Sequence, residues 1–380
     1  MFETVFNPEI WARVPFHLWS VMFFLLGSIV GSFLNVCIYR LPRGLSVVTP
    51  PSHCPHCQYS IPWHLNLPLI TWLLLRGRCR QCRAPISIRY FLVELLTGAL
   101  FLGCWLNYGP TSARLALIFS LFAAGLVVAT CIDFEHFIIP DEITLGGVAA
   151  GLLFSFYPPL HEQRTALAGF WQGVVGALVG WGLVYGIVRL GKVMFGRQRV
   201  ALPVDTRIVF SETAVHLPDR DIPYEELFYR QSDEIIMQAR TLELIDRCYQ
   251  NVKVRLSPRR LRIEAEEFNP EAIHQMEAVS TEIVLPREAM GFGDVKFMAA
   301  IGAFLGWPAT LFALVVSSVI GSVVGVAGMM MQGRERFARI PYGPYLAAAA
   351  LIWVFLPLDT RQEVRALLAV LNPFAAPGAW

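Results

Sequence analysis

The sequence predicts an all-α polytopic membrane protein with about eight transmembrane helices, a cytoplasmic zinc-binding loop and an inserted small cytoplasmic α+β domain. Three observations carry this expectation. Of the 380 residues 55% are hydrophobic and only 16% charged, a balance foreign to water-soluble globular chains. The apolar residues gather in runs of the length a bilayer requires, about 20 residues. One polar stretch, residues 192–288, interrupts them and holds more than half of the chain's acidic residues. The net charge of +2 gives no global reason to expect a nucleic-acid partner.

The first run, Phe16 to Tyr39, has no basic segment before it and no small-residue cleavage site after it, so it is expected as a retained span. Arg40 and Arg43 follow at once. The loop up to Arg89 adds Arg76, Arg78, Arg80 and Arg83 without a single Asp or Glu. The positive-inside rule makes this loop cytoplasmic and puts the N-terminus outside. Further spans are expected at about Tyr90 to Leu106, Leu115 to Ile132, Ile143 to Tyr157, Phe170 to Leu190, Val295 to Trp307, Thr310 to Met331 and Tyr342 to Leu356. Counting sides then places Asp133, Asp141, the polar insertion and Asp294 in the cytoplasm, and Arg334, Arg336 and Arg339 fall inside as well. Val295 to Trp307 is short for a span. Leu65 to Leu75 is shorter still, and is expected to be interfacial or packed within the loop. The resulting segments are 1–40 (first helix), 41–89 (zinc loop), 90–191 (helices with a first Asp), 192–288 (inserted domain) and 289–380 (a second Asp and the C-terminal helices).

Two acids stand at membrane boundaries. Gly291-Phe292-Gly293-Asp294-Val295-Lys296 lies where the polar region gives way to an apolar run, and glycines on both sides permit close backbone approach. Alone it is an ordinary capped turn. The stretch Ile132-Asp133-Phe134-Glu135-His136-Phe137-Ile138-Ile139-Pro140-Asp141 ends another apolar run with a second carboxylate. Carboxylates near the membrane are costly and mark function, and two held together can share a proton and activate water. Asp133 and Asp294 are the candidate pair. Asp141, after Pro140, is expected to cap the next span, and Lys296 to pair with Asp294 or face lipid phosphate or the main chain of a substrate. The acidic Asp133, Glu135, Asp141 turn is the expected docking edge for a basic peptide.

Cys54-Pro55-His56-Cys57 and Cys79-Arg80-Gln81-Cys82 have the spacing of a structural zinc site. Redox pairs usually ride on a βαβ context that this loop lacks, and disulfides do not suit the cytoplasm. His53 and His56 are expected as bystanders, and Cys37, Cys104 and Cys131 as small core residues. In the insertion, Glu225 to Tyr249 is expected to be helical from Leu227, Ile235, Ile236, Leu242 and Ile245, and the Asp219, Asp221, Glu225, Glu226 cluster to be a solvated surface.

Gly31-Ser-Phe-Leu-Asn-Val-Cys-Ile-Tyr-Arg-Leu-Pro42, the tandem CxxC pairs, Ile132-Asp133 with Ile139-Pro140-Asp141, and Gly291 to Lys296 together resemble bacterial type IV prepilin peptidases. The resemblance covers nearly the whole chain apart from the insertion. It implies a membrane aspartic protease of the inner membrane with Asp133 and Asp294 as catalytic residues, cleaving basic leaders from prepilins and pseudopilins. It also implies N-methylation of the new amino terminus by S-adenosylmethionine. Tyr90-Phe-Leu-Val-Glu94-Leu-Leu-Thr-Gly98 resembles a segment shared by these enzymes, which makes Glu94 and Gly98 candidates for binding the methyl donor, with close helix packing an equal account of Gly98. The competing readings are a proton-carrying transporter, a zinc-stabilised membrane scaffold, and a peptidase that cuts within membrane spans.

Overall fold

The structure is a computed structural model and describes residues 15–62, 65–218, 220–228, 231, 233–244, 247–270, 273, 275–286, 290–332 and 341–369. Its helices are α1 (Phe16–Arg40), α2 (Ile70–Leu74), α3 (Ile88–Tyr108), α4 (Ala113–His136), α5 (Asp141–Phe154), α6 (Ala166–Phe195), α7 (Tyr224–Leu227), α8 (Phe292–Leu305), α9 (Trp307–Gln332), α10 (Gly343–Phe355) and α11 (Leu358–Ala369). The chain divides into two compact units: residues up to Val184 with those from Phe292 onward, and Tyr185–Gly291.

Among the described residues five helices are long and apolar enough to cross a bilayer: those at Phe16–Arg43, Ile88–Tyr108, Ala113–His136, Ala166–Met194 and Trp307–Met330. A sixth arises if α10 and α11, bent by 114° at their junction, count as one span. The expected eight is therefore not met by length and composition. The runs at Ile143 to Tyr157 and Val295 to Trp307 do form helices, α5 and α8, but each has 14 residues. At 1.5 Å per residue that is about 21 Å, short of the roughly 30 Å hydrocarbon core. Arg334, Arg336 and Arg339 lie outside the described residues.

Small residues set how these helices pack. Lipid is as apolar as a leucine side chain, so association depends on close van der Waals approach, which Gly and Ala allow. A Cβ added at Gly176 of α6 would collide with the Gly302 carbonyl of α8, and one at Gly180 would stand 2.5 Å from the Met298 carbonyl. One at Gly151 of α5 would meet Ala303 Cβ at 2.7 Å. α8 is thus held between α5 and α6, and is buried from Asp294 to Leu305 apart from Lys296. On the other side of the unit, Gly27 and Gly31 of α1 face Thr97, Phe101 and Glu94 of α3 with similar closeness.

The second unit is mostly β. Strands β1 (Arg197–Phe210), β2 (Ala214–Leu217), β3 (Arg220–Pro223), β4 (Ile235–Glu243), β5 (Cys248–Leu256), β6 (Leu261–Ile263), β7 (Glu266–Phe268) and β8 (Met276–Pro286) form one antiparallel sheet in the order β3-β2-β1-β8-β4-β5-β6-β7. The expected helix over Glu225 to Tyr249 is overturned: α7 is four residues long, and the remainder becomes β4 and the start of β5, with Ile245 outside the described residues. Ile235, Met237 and Ala239 are buried while Gln238 and Arg240 are exposed, a period of two that belongs to a half-buried strand. Strands β1 and β8 pair so that Arg197 opposes Pro286, which brings both ends of the sheet domain together. A relay from Ser211 Oγ to His216 Nε2 (3.0 Å) and from His216 Nδ1 to Asp221 Oδ1 (2.7 Å) staples the β1–β2–β3 corner, and Ser211 also closes its own turn on Ala214.

Candidate active site and metal centre

Asp133 lies in the last turn of α4, where the residue is buried at 5% exposure. The helix stops four residues later because Phe137 turns left-handed (φ 55°), its N–H returning to the Asp133 carbonyl. The carboxylate does not face solvent. Its Oδ2 accepts the backbone N–H of Gly343 at 2.8 Å. Gly343 opens α10, with Pro344 behind it in the first turn, so Asp133 sits on the positive end of a helix dipole and on one of its unsatisfied donors.

Asp294 occupies the first turn of α8 and is also buried. Gly293 beside it packs on the backbone of Ile139, where an added Cβ would stand 3.4 Å from the Ile139 nitrogen. The Ile139 side chain in turn reaches Gly343, whose added Cβ would meet its Cδ1 at 3.0 Å. The stretch between α4 and α5 therefore touches both the neighbour of Asp294 and the residue that holds Asp133. Gly291 is exposed just ahead of α8.

Asp141 does not cap α5, whose N-cap position is Pro140 with no side-chain hydrogen bond. It accepts from Lys296 Nζ at 2.6 Å instead, joining the starts of α5 and α8. Lys296 also stands over the Phe292 ring. Glu135 pairs with Arg89 at the start of α3. Each acid of the expected docking edge is therefore already engaged within the protein.

The four loop cysteines form a second centre. Their sulfur atoms all lie within 4.8 Å of one another, with Cys54 to Cys82 at 3.8 Å and Cys57 to Cys79 at 4.0 Å. Four thiolates at about 2.3 Å from a central zinc would stand about 3.8 Å apart, so this donor set fits a tetrahedral metal ion. The two halves repeat one backbone design. Cys54 N–H bonds to Tyr59 O and Cys79 N–H to Ala84 O, and Gln58 and Arg83 adopt left-handed φ of 57° and 62° to turn the chain back. Backbone N–H groups of Cys82 and Gln81 lower the pKa of the Cys79 thiol, whereas Cys57 is raised against its Tyr59 backbone bond by burial and by the other three thiols, so the four sulfurs share protons among themselves. His53 is bonded to Pro51 O and belongs to no metal-ligating group.

Family models match the segments that hold both centres. A model of the Bacterial Peptidase A24 N-terminal domain matches residues 25–108, which contain the four cysteines. One of the Type IV leader peptidase family matches residues 120–197 and 276–326, which contain Asp133 and Asp294 and omit most of the β unit. A Klebsiella pneumoniae prepilin leader peptidase/N-methyltransferase is 37% identical over 200 residues, covering 50% of this chain and 82% of that protein. The chain belongs to the type IV leader peptidase family. A relative of the same description from Aeromonas hydrophila is 28% identical over 366 residues, 88% of this chain and 91% of its own. One from Myxococcus xanthus is 42% identical over 168 residues, 43% and 50%. No solved structure matches.

For a family that carries a methyltransferase name, Glu94 and Gly98 are not placed as an open site. Glu94 is buried, and its Oε2 accepts the Leu69 N–H at 2.7 Å. Gly98 is filled by α1, since its added Cβ would stand 2.5 Å from Ser28 Oγ and 3.0 Å from the Phe24 carbonyl. Glu94 thus holds the α2 region and Gly98 the α1 helix against α3. Sequence reasoning missed Gly343. The one available signal was Tyr342-Gly343-Pro344, a helix start at the head of the last expected span.

Proposed function

We propose that this protein is a membrane aspartic endopeptidase that removes the leader peptides of type IV prepilins and pseudopilins at the cytoplasmic face of the inner membrane. The observation that carries the reading is the pair of buried aspartates at the ends of α4 and α8, gathered around Ile139, with Asp133 held by the Gly343 N–H. One carboxylate takes a proton from a water whose oxygen attacks the scissile carbonyl. The other, protonated, polarises that carbonyl and then gives its proton to the departing amine. Gly293 and Gly343 let the backbones close on Ile139, and the Lys296–Asp141 pair fixes α8 against α5.

The four cysteines would hold a structural zinc ion, which ties the loop before α3 into one piece. The relatives are named N-methyltransferases as well, and the second proposed activity is N-methylation of the new amino terminus with S-adenosylmethionine as donor. In this reading α5, α8 and α10 cross as well, which would make eight spans with both aspartates and the cysteine loop on the cytoplasmic side. A transporter would need acids near the middle of its spans, whereas both aspartates stand at helix ends. Purified protein incubated with a synthetic prepilin and S-adenosylmethionine should release the leader and add one methyl to the product, read by mass. An intact peptide in the presence of folded protein would contradict the peptidase reading.

A further inference from the structure

Arg40, the last residue of α1, is a charged group in an unusual setting. The residue is 8% exposed, and its guanidinium donates to the carbonyls of Ser46 (2.9 Å) and Pro50 (2.6 Å). Among the described residues no carboxylate pairs with it, and the loop from Leu41 to Arg89 contains no acid at all. Arginine stays protonated in proteins, and a buried charge without a counter-charge is costly. The guanidinium lines a cavity of about 400 Å³, within the roughly 300–1,000 Å³ of small-ligand sites.

The shape of that cavity selects the ligand. One wall is a stripe of α1 made by Ile29, Phe33 and Val36, with Ser32 beside it; the other is formed by Val48, Pro50 and Leu67, with Ser52 and Asn66 among them. From Arg40 to Ile29 is eleven residues, about 16 Å along the helix, against about 15 Å for one leaflet of hydrocarbon. Ile29 falls near the middle of the Phe16–Arg43 span, so the groove runs from the membrane surface towards the bilayer centre. Its charged end is at the surface and its apolar end is deep, where Ile29 and Phe33 are exposed. The Ile29–Phe33–Val36 stripe, continuous with the lipid-facing side of α1, suits a chain that is apolar at its deep end. We propose that the groove between α1 and the cysteine loop binds one anionic phospholipid, with the phosphate on Arg40 and an acyl chain along Val36, Phe33 and Ile29. Basic pockets beside spans on the cytoplasmic side recognise lipid headgroups by the same physics.

Native mass spectrometry of the full chain in neutral detergent tests this with phosphatidylglycerol and phosphatidylcholine of identical chains. One phosphatidylglycerol should be retained at least tenfold over phosphatidylcholine. Arg40→Gln and Val36→Trp should each lower that retention at least tenfold. Val36→Trp fills the groove without touching the carbonyl bonds of Arg40, so it decides the matter if the Arg40 variant loosens the loop; helix content and thermal midpoint report folding. Saturating inorganic phosphate or S-adenosylmethionine should not displace the lipid. Equal retention of the two lipids, undiminished retention by the folded Val36 variant, or displacement by either soluble anion would overturn the proposal.

Discussion

Asp133 Oδ2 accepts the backbone N–H of Gly343 at 2.8 Å, across 210 residues of sequence. The contact leaves no room for a side chain at Gly343, because an added Cβ would lie 2.8 Å from that oxygen and 3.0 Å from Ile139 Cδ1. Gly343→Ala should therefore push the carboxylate aside while α10 still forms. Misplacing a catalytic group by about 1 Å costs on the order of 10²-fold in rate. Prepilin cleavage should fall by about that factor with unchanged helix content by circular dichroism. Near-normal turnover would mean that Gly343 does not position Asp133.

The cysteine cluster gives a prediction independent of proteolysis. About one zinc ion per chain should copurify, by elemental analysis, and Cys79→Ser should lose it, because the fourth thiolate completes the tetrahedron. Loss of metal should expose the loop to protease, since binding free energy there is folding free energy. Full metal content in the variant would remove Cys79 from the ligand set.

The β unit should be separable from catalysis. Arg197 opposes Pro286 in the β1–β8 ladder, so its ends can be joined by a short connection. Replacing residues 199–282 with a flexible Gly/Ser linker should preserve cleavage of a short prepilin peptide to within a few fold. A deleted protein that keeps its metal and helix content yet cannot cleave the peptide would place the domain in the active site.

His161 supplies a pH dependence. Burial, reinforced by the charge of Arg365, lowers its pKa from 6.5 to about 4, and its Nε2 lies 2.9 Å from Ser155 Oγ, which reaches the Ala303 carbonyl of α8. The unfolded chain takes up this proton near pH 6.5 and the folded chain only near pH 4. Between these values the unfolded state binds more protons, so the contribution is fully present above pH 6.5 and is lost as pH falls towards 4. The thermal midpoint in detergent should fall across that window, and His161→Gln should flatten the fall. An equal slope in the variant would exclude His161 as its source.

Much of the helical unit was legible in the sequence because lipid demands long apolar runs, and α1, α3, α4, α6 and α9 are those runs. The cysteine cluster was legible too, since its ligands come as two local pairs. Neither α5 nor α8 could be assigned by length, because 14 residues suit a buried core helix as well as a short span. The insertion was misread for a different reason. Leu227, Ile235, Ile236, Leu242 and Ile245 keep to no single period, and the alternation through Met237 and Ala239 carried the signal. Asp141 was expected as a cap because the sequence after Pro140 shows its local partners; Lys296, 155 residues away, is visible only in the fold. A still longer separation, 210 residues from Asp133, hid Gly343.

The central claim is that Asp133 and Asp294 together perform the hydrolysis. Single-turnover cleavage of a synthetic prepilin by Asp133→Asn and Asp294→Asn, each checked for helix content and bound zinc, tests it most directly. Each variant should lose cleavage by at least about 10⁴-fold, and the double variant should be no worse than either single one, because residues acting as a unit are not additive. Appreciable turnover by either folded single variant would contradict it.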